Sequence, residues 1–239
     1  MSSASPRRLL KPAIILIVLA GLAWLAHLGY RVWQFETLFA PDRIVENFRN
    51  MPKLFDTNLI RNTGPVFELE VAPQELPKDF SFQGKTIAIS DWIKNSDTTG
   101  LVVMADNKLV FEQYYKGNTA ESQAISWSVG KSFVSALIGF ALADGSIKSL
   151  QDPVGNYVPL LKDSGYADVS IQDVLEMASG IDFDENYADP KSGINQLGEE
   201  IFLGRSTNEW IAKLQKSGPP GKEHHYISVN TQVLGMVLE

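Results

Sequence analysis

Cysteine is absent from the chain. That excludes a disulfide framework, a thiolate metal site, an iron–sulfur cluster and a cysteine nucleophile, and it leaves Ser, Thr, Lys and carboxylates for covalent chemistry. Positive charge is also in short supply: 21 Lys and Arg stand against 28 Asp and Glu, a formal net charge of −7. This is the wrong sign for a protein that gains affinity by neutralising phosphates, so nucleic acid is not an expected partner. Histidine is limited to three residues. His224 and His225 are adjacent and so point in different directions, and without an HExxH helix or a third ligand in register no metal site is expected. Internal repeats and low-complexity tracts are missing as well. What remains is an ordinary globular composition, 44% apolar and 21% charged over 239 residues, the size of one compact unit with an appendage.

The longest apolar run lies at the N-terminus. From Ala13 to Tyr30 no Asp, Glu, Lys or Arg occurs, with Arg7, Arg8 and Lys11 before it and Arg31 after it. At 1.5 Å per residue the run covers roughly 27 Å, enough for the hydrocarbon core of a bilayer and longer than the usual apolar region of a leader peptide. The basic flank predicts a cytoplasmic N-terminus and an exported remainder, with Trp24, Tyr30 and Trp33 toward the far interface. A single-pass membrane anchor over residues 1–34 is the expectation. The alternatives are secretion after leader cleavage and a buried core helix.

From about Phe35 to Phe82 no sustained period is visible and Pro41, Pro52, Pro65, Pro73 and Pro77 occur, so residues 35–98 read as a linker and lead-in with short elements. Leu101–Ala105 and Leu109–Tyr115 are β-rich runs around Asp106-Asn107-Lys108, which predicts a hairpin. Ser128–Ala143 is apolar with small residues interspersed and stops at Asp144-Gly145, which predicts a helix buried nearly all round. Ser170 can cap a helix over Ile171–Ala178, and another is expected from about Ser206 to Gln215. After Ser217-Gly-Pro-Pro-Gly221 an apolar, helix-like segment begins at Asn230 and runs to the last residue. Because helices end at polar or glycine caps, that pattern is read as an incomplete chain.

Ser128-Val-Gly-Lys131 places a hydroxyl and an amine on one face of the first helical turn. Burial would disfavour the ammonium, so a neutral Lys131 could take the Ser128 proton, while the helix N-terminus offers positive potential to a developing anion. The bland alternative is a capping serine with a solvated lysine. The apolar surroundings, Phe133-Val134-Ser135-Ala136, fit a merely solvated lysine poorly. Gly130-Lys131-Ser132 also matches the end of a phosphate-binding loop. The glycine such a loop requires would fall at Ile125, so nucleotide hydrolysis is not expected.

Taken together, Ser128-x-x-Lys131, the Ala143-Asp-Gly-Ser-Ile147 exit, Leu150-Gln-Asp-Pro-Val154, Val174–Ile181, Pro220-Gly221 and Tyr226-Ile-Ser-Val-Asn230 resemble the serine β-lactamase and penicillin-binding-protein superfamily. The resemblance covers roughly Thr99 to Glu239. Its nearest branch is the class C type β-lactamase-related hydrolases, which include esterases, D-aminopeptidases and 6-aminohexanoate-dimer hydrolase. It implies an α/β (α+β) fold of the β-lactamase/transpeptidase type: an antiparallel sheet with packed helices, an inserted helical region from about Ser149, and a catalytic domain over residues 99–239 whose C-terminal strands are missing. By the same resemblance Ser128 is the acyl-forming nucleophile, Lys131 its activating partner and Tyr226 the proton shuttle, the three acting as a coupled unit. Ser228 stands where most β-lactamases of this branch carry Asn, and the Asn comes at Asn230. Both are candidate substrate-binding residues, and the departure looks more like the 6-aminohexanoate-dimer hydrolase pattern than a classical β-lactamase.

The implied reaction is hydrolysis of a small amide, ester or peptide through an acyl-Ser128 intermediate, with no metal or cofactor. The rival reading is a catalytically silent member of the fold serving as an envelope binding or structural module. The family's third motif would lie beyond Glu239, and it lines the site and supplies one oxyanion-hole donor. The 239 residues alone are therefore expected to be inactive and poorly folded.

Overall fold

The computed structural model describes residues 6–55 and 57–239. The chain forms two compact units, Met1–Ile125 and Ser126–Glu239.

The first unit opens with α1 (Pro6–Glu36). Its segment Ile14–Glu36 is long and apolar enough to cross a membrane, alone among the described helices, and its apolar side chains are exposed. Such a helix near an N-terminus can equally be a leader. Arg43 stacks over the Trp33 ring at 3.9 Å. The buried Asn47 of α2 (Ile44–Arg49) donates to the carbonyls of Thr37 and Leu38 at 3.1 and 3.0 Å, which ties that helix to the end of α1. The short α3 (Met51–Leu54) follows.

Strands β1 (Glu70–Val71), β4 (Gly100–Ala105) and β5 (Lys108–Tyr114) form a sheet in the order β1-β5-β4. β2 (Asp79–Phe82) and β3 (Lys85–Ala88) make a separate hairpin that leads into α4 (Ile89–Asn95). The expected β4–β5 hairpin is present. Asp106 and Asn107 both adopt positive φ, 50° and 60°, the requirement of a two-residue turn that matches strand twist. A register shift at Val103/Met104 bends β4. The sheet is not purely antiparallel as expected, because β1 pairs with β5 in parallel through Glu70↔Lys108 and Val71↔Leu109. Among the described residues of this unit, only Leu38, Val110 and Asn47 are buried.

The second unit is helical around one core. A 3-10 turn, Trp127–Val129, leads into α5 (Gly130–Ala143). Then come α6 (Ile171–Leu175), α7 (Gly193–Phe202), α8 (Thr207–Ile211) and α9 (Ser228–Leu238). Ser170, Ser192 and Ser206 cap α6, α7 and α8 by accepting from the backbone N–H groups of Asp173, Asn195 and Glu209, which satisfies donors the helices leave open. α9 is the hub: Val229, Val233, Leu234, Met236 and Val237 are buried with Ile138 of α5, Ile171 and Val174 of α6, and Ile211 of α8.

One expectation about α5 needs correcting. The helix is not buried all round: Ile138 is its one buried residue, while Phe133 and Phe140 are 69% and 71% exposed. Its core face is the stripe of Val134, Ile138 and Ala141, spaced for one side of a helix. The second unit covers that side and no other.

Candidate active site

Lys131 continues the same stripe toward the N-terminus of α5, three residues before Val134, so the packing that buries Ile138 also aims the lysine at the start of α9. Its Nζ donates to Ser228 Oγ at 3.1 Å. Ser128 lies in the 3-10 turn just ahead and is exposed. The preceding residue, Trp127, is held at φ +44°, a left-handed conformation that a bulky side chain adopts only at a cost of about 1–3 kcal/mol and that concentrates at functional sites.

Tyr226 reaches Ser128 from across the unit, its hydroxyl donating to Ser128 Oγ at 2.8 Å. The Tyr226 ring lies 5.5 Å from Lys131 Nζ, within range of a cation–π contact. Ser128, Lys131 and Tyr226 are thus gathered at one point. Lys131 spends its hydrogen bond on Ser228 rather than directly on Ser128.

The position of Tyr226 comes from a backbone ladder. The strip after α6 bonds to the segment before α9: Asp182 N–H to Gln215, Ser217 and Gly218 N–H to Gly180, Gly221 N–H to Ala178, and His225 N–H to Met177. Gly180, at φ +70°, lies so close to this segment that a Cβ would fall 2.4 Å from the Gly218 carbonyl oxygen. Only glycine satisfies both the conformation and the approach.

The two remaining candidates part company. Ser228 is in the site, but its proton is committed: Oγ donates to Glu185 Oε1 at 2.6 Å, and its backbone N–H donates to Glu185 Oε2 at 2.9 Å. Asn230 is not available as a substrate-binding residue. It is fully buried one turn into α9, its Oδ1 accepts from Tyr166 at 2.7 Å, and its Nδ2 faces Met177 Sδ at 3.6 Å. Helix periodicity turns it inward while Ser228 stays at the rim. His224 and His225 are exposed.

Glu185 carries no signal of its own in the sequence. Its Oε1 also accepts from the Tyr187 hydroxyl at 2.9 Å. Partial desolvation of its hydroxyl, reinforced by the hydrogen bond to Glu185, raises the pKa of the otherwise exposed Tyr187, so it keeps its proton and stays a donor.

Comparison with known proteins gives consistent relatives. The sequence profile of the beta-lactamase family matches residues 91–239. The chain is 28% identical over 183 residues to 6-aminohexanoate-dimer hydrolase of Paenarthrobacter ureafaciens, covering 73% of this chain and 43% of that protein. A Bacillus anthracis structure provisionally named as a 6-aminohexanoate-dimer hydrolase superposes with a TM-score of 0.71 at 18% identity, over 84% of this chain and 55% of that one. A class C beta-lactamase aligns less well, at a TM-score of 0.44 and 19% identity over 63% of this chain and 41% of that one. The chain spans about half the length of these relatives. Its architecture is of the β-lactamase/transpeptidase type.

Proposed function

We propose that this chain, which belongs to the beta-lactamase family, carries the acyl-transfer machinery of a serine hydrolase acting on small amides or esters. The observation that bears most weight is the 2.8 Å bond between Tyr226 and Ser128, residues 98 positions apart, with Lys131 beside the same tyrosine ring. Three groups that merely decorate a fold have no reason to converge; a nucleophile and its proton carriers do.

In this mechanism Ser128 Oγ attacks the substrate carbonyl and forms the Oγ–C bond. Its proton passes to the coupled Tyr226–Lys131 pair. When the C–N or C–O bond breaks, Tyr226 returns a proton to the leaving amine or alcohol. Water then attacks the acyl-Ser128 carbonyl, giving its proton to the same pair, and Ser128 recovers a proton as the acid leaves. Protons balance over the two halves, and each carrier ends as it began. The likeness to 6-aminohexanoate-dimer hydrolase favours a small amide as the substrate. The convergence of all three groups supports an enzyme over a silent envelope module.

Ser128→Ala tests this reading in the protein expressed from its own gene. Turnover of p-nitrophenyl esters is expected to fall at least about 10³-fold, since the covalent route is lost, together with labelling by a fluorophosphonate probe. Undiminished labelling of the variant would place the nucleophile elsewhere.

α1 supports a membrane-tethered, exported enzyme, with Arg7, Arg8 and Lys11 retained on the cytoplasmic side. A reporter fused after Phe35 is expected outside the cytoplasm and in the membrane fraction. Soluble reporter with a new N-terminus near Trp24 would favour a cleaved leader.

A further inference from the structure

Three donors converge on Glu185. The Ser228 hydroxyl and the Tyr187 hydroxyl reach Oε1, and the Ser228 backbone N–H reaches Oε2. An ionised carboxylate accepts and cannot donate, and a serine hydroxyl has one proton. With that proton held at 2.6 Å by Glu185, Ser228 Oγ can present only lone pairs to Lys131. The 3.1 Å contact between Lys131 and Ser228 therefore has a fixed polarity, with the lysine donating. One of Lys131's hydrogens is pinned toward α9, and the remainder of the amine stays on the side of Tyr226 and Ser128.

Glu185 also does a structural job for the same element. α9 begins at Ser228, and its N-cap residue Ile227 supplies no side-chain acceptor. Glu185 Oε2 fills that gap from a separate segment by accepting the Ser228 N–H, and a carboxylate suits the positive end of a helix. The backbone bond fixes where Ser228 sits, and the side-chain bond fixes how its hydroxyl turns. Glu185 itself is half-buried in a run of mostly exposed residues, Asp184–Pro190, so its role is not that of core packing.

We infer that Glu185 is a positioning residue of this site, acting through Ser228 to orient the Lys131 amine for proton transfer. The inference rests on the reading of Ser128, Lys131 and Tyr226 as an acyl-transfer unit. It also revises the expectation for Ser228: this residue serves the lysine, and what it can offer a substrate is a lone pair rather than a proton.

Glu185→Gln is the informative change, because the amide keeps size and an acceptor for the Ser228 N–H. Its Nε2 can donate to Ser228 Oγ, which frees the serine proton to turn toward Lys131 and reverses the polarity of the chain. The expected result on p-nitrophenyl esters is a fall in kcat of about ten- to a hundredfold, the scale of a small misplacement of a reacting group. KM is expected to stay within about threefold and the thermal midpoint within about 2 °C, because the amide keeps an acceptor for the Ser228 N–H that starts α9. The rate of fluorophosphonate labelling should fall by the same factor as kcat. Ser228→Ala approaches the link from the other side and should itself slow kcat. In that background Glu185→Gln should add less than about twofold, since residues acting as one unit are not additive.

If Ser128→Ala abolishes turnover while Glu185→Gln matches the native kcat, the inference falls and the acyl-transfer reading stands. Full, multiplicative losses in the double variant would also overturn it, as would a change confined to KM. Should Glu185→Gln fold poorly, the Ser228→Ala variant decides alone, and native kcat there overturns the inference. Turnover that survives Ser128→Ala removes the parent reading and the inference together.

Discussion

The two units spend their apolar residues in different ways. In the second, Val154, Leu161, Ile171, Val174, Ile211 and Val233 are completely buried, and the site residues hang from the elements that bury them. In the first, Leu38 and Val110 are the buried apolar side chains among the described residues, while Val102, Met104, Trp92 and Phe82 remain exposed. The first unit is held mostly by strand pairing and local turns, the second by a shared interior. The geometry of a site can be no firmer than the packing behind it, so it matters to the proposed mechanism that Ser128, Lys131, Tyr226 and Glu185 all fall within the second unit.

Paired truncations test this contrast most sharply. Ile171→Ala removes a fully buried side chain from the α6–α9 contact and is expected to cost about 2–5 kcal/mol. Val102→Ala, on an exposed position of β4, is expected to cost less than about 0.5 kcal/mol. Denaturant unfolding of each unit, followed by amide exchange, checks both. Similar costs, or slower exchange in β4 and β5 than in α9, would break the comparison.

A smaller effect is expected from Gly180→Ala. A left-handed alanine costs about 1–2 kcal/mol, and the clash with the Gly218 carbonyl adds to it. The ladder that carries Tyr226 should loosen, lowering kcat along with stability. A variant that loses stability while retaining native kcat would show that Tyr226 is positioned by other means.

A milder change within the core is Tyr166→Phe. It leaves Asn230 Oδ1 without its 2.7 Å donor inside the core, at an expected cost of about 1–2 kcal/mol. Burial raises Tyr166 well above the ordinary tyrosine range. Because the folded state holds this proton more tightly than the unfolded state, its contribution is complete below about pH 10 and is lost as pH rises beyond it. Native protein should therefore lose stability more steeply above pH 10 than the phenylalanine variant, as read from unfolding midpoints between pH 8 and 11. Equal slopes would contradict the assignment.

Legibility in the sequence followed the range of the interactions. The β4–β5 hairpin, the Ser170 cap and the Asp144-Gly145 exit from α5 are local, and each was readable from a few neighbouring residues. Ser128 and Lys131 were readable for the same reason, and Tyr226 through the family pattern around it. Glu185 was not: it sits among Asp182, Asp184 and Asn186 like any solvated run, and only a bond spanning 43 residues distinguishes it. α7 is hard to read from the sequence because Gly193 and Gly198 dilute its helical signal. The burial of α5 was overestimated because composition reports how apolar a helix is, not which sides find partners. The parallel β1–β5 pair is two residues long and non-local, below what any pattern in the chain could announce.

The ladder that carries Tyr226 has one further consequence. Every one of its rungs between residues 177–182 and 215–225 is a main-chain bond, indifferent to side-chain identity except where glycine is required. Lys222, Glu223, His224 and His225 project into solvent from a segment whose path they do not determine. The rim beside Tyr226 is therefore an open field for variation. Its charge and shape can be rewritten by point mutation while the tyrosine stays where it is, so that specificity can drift through evolution without the chemistry having to be reinvented.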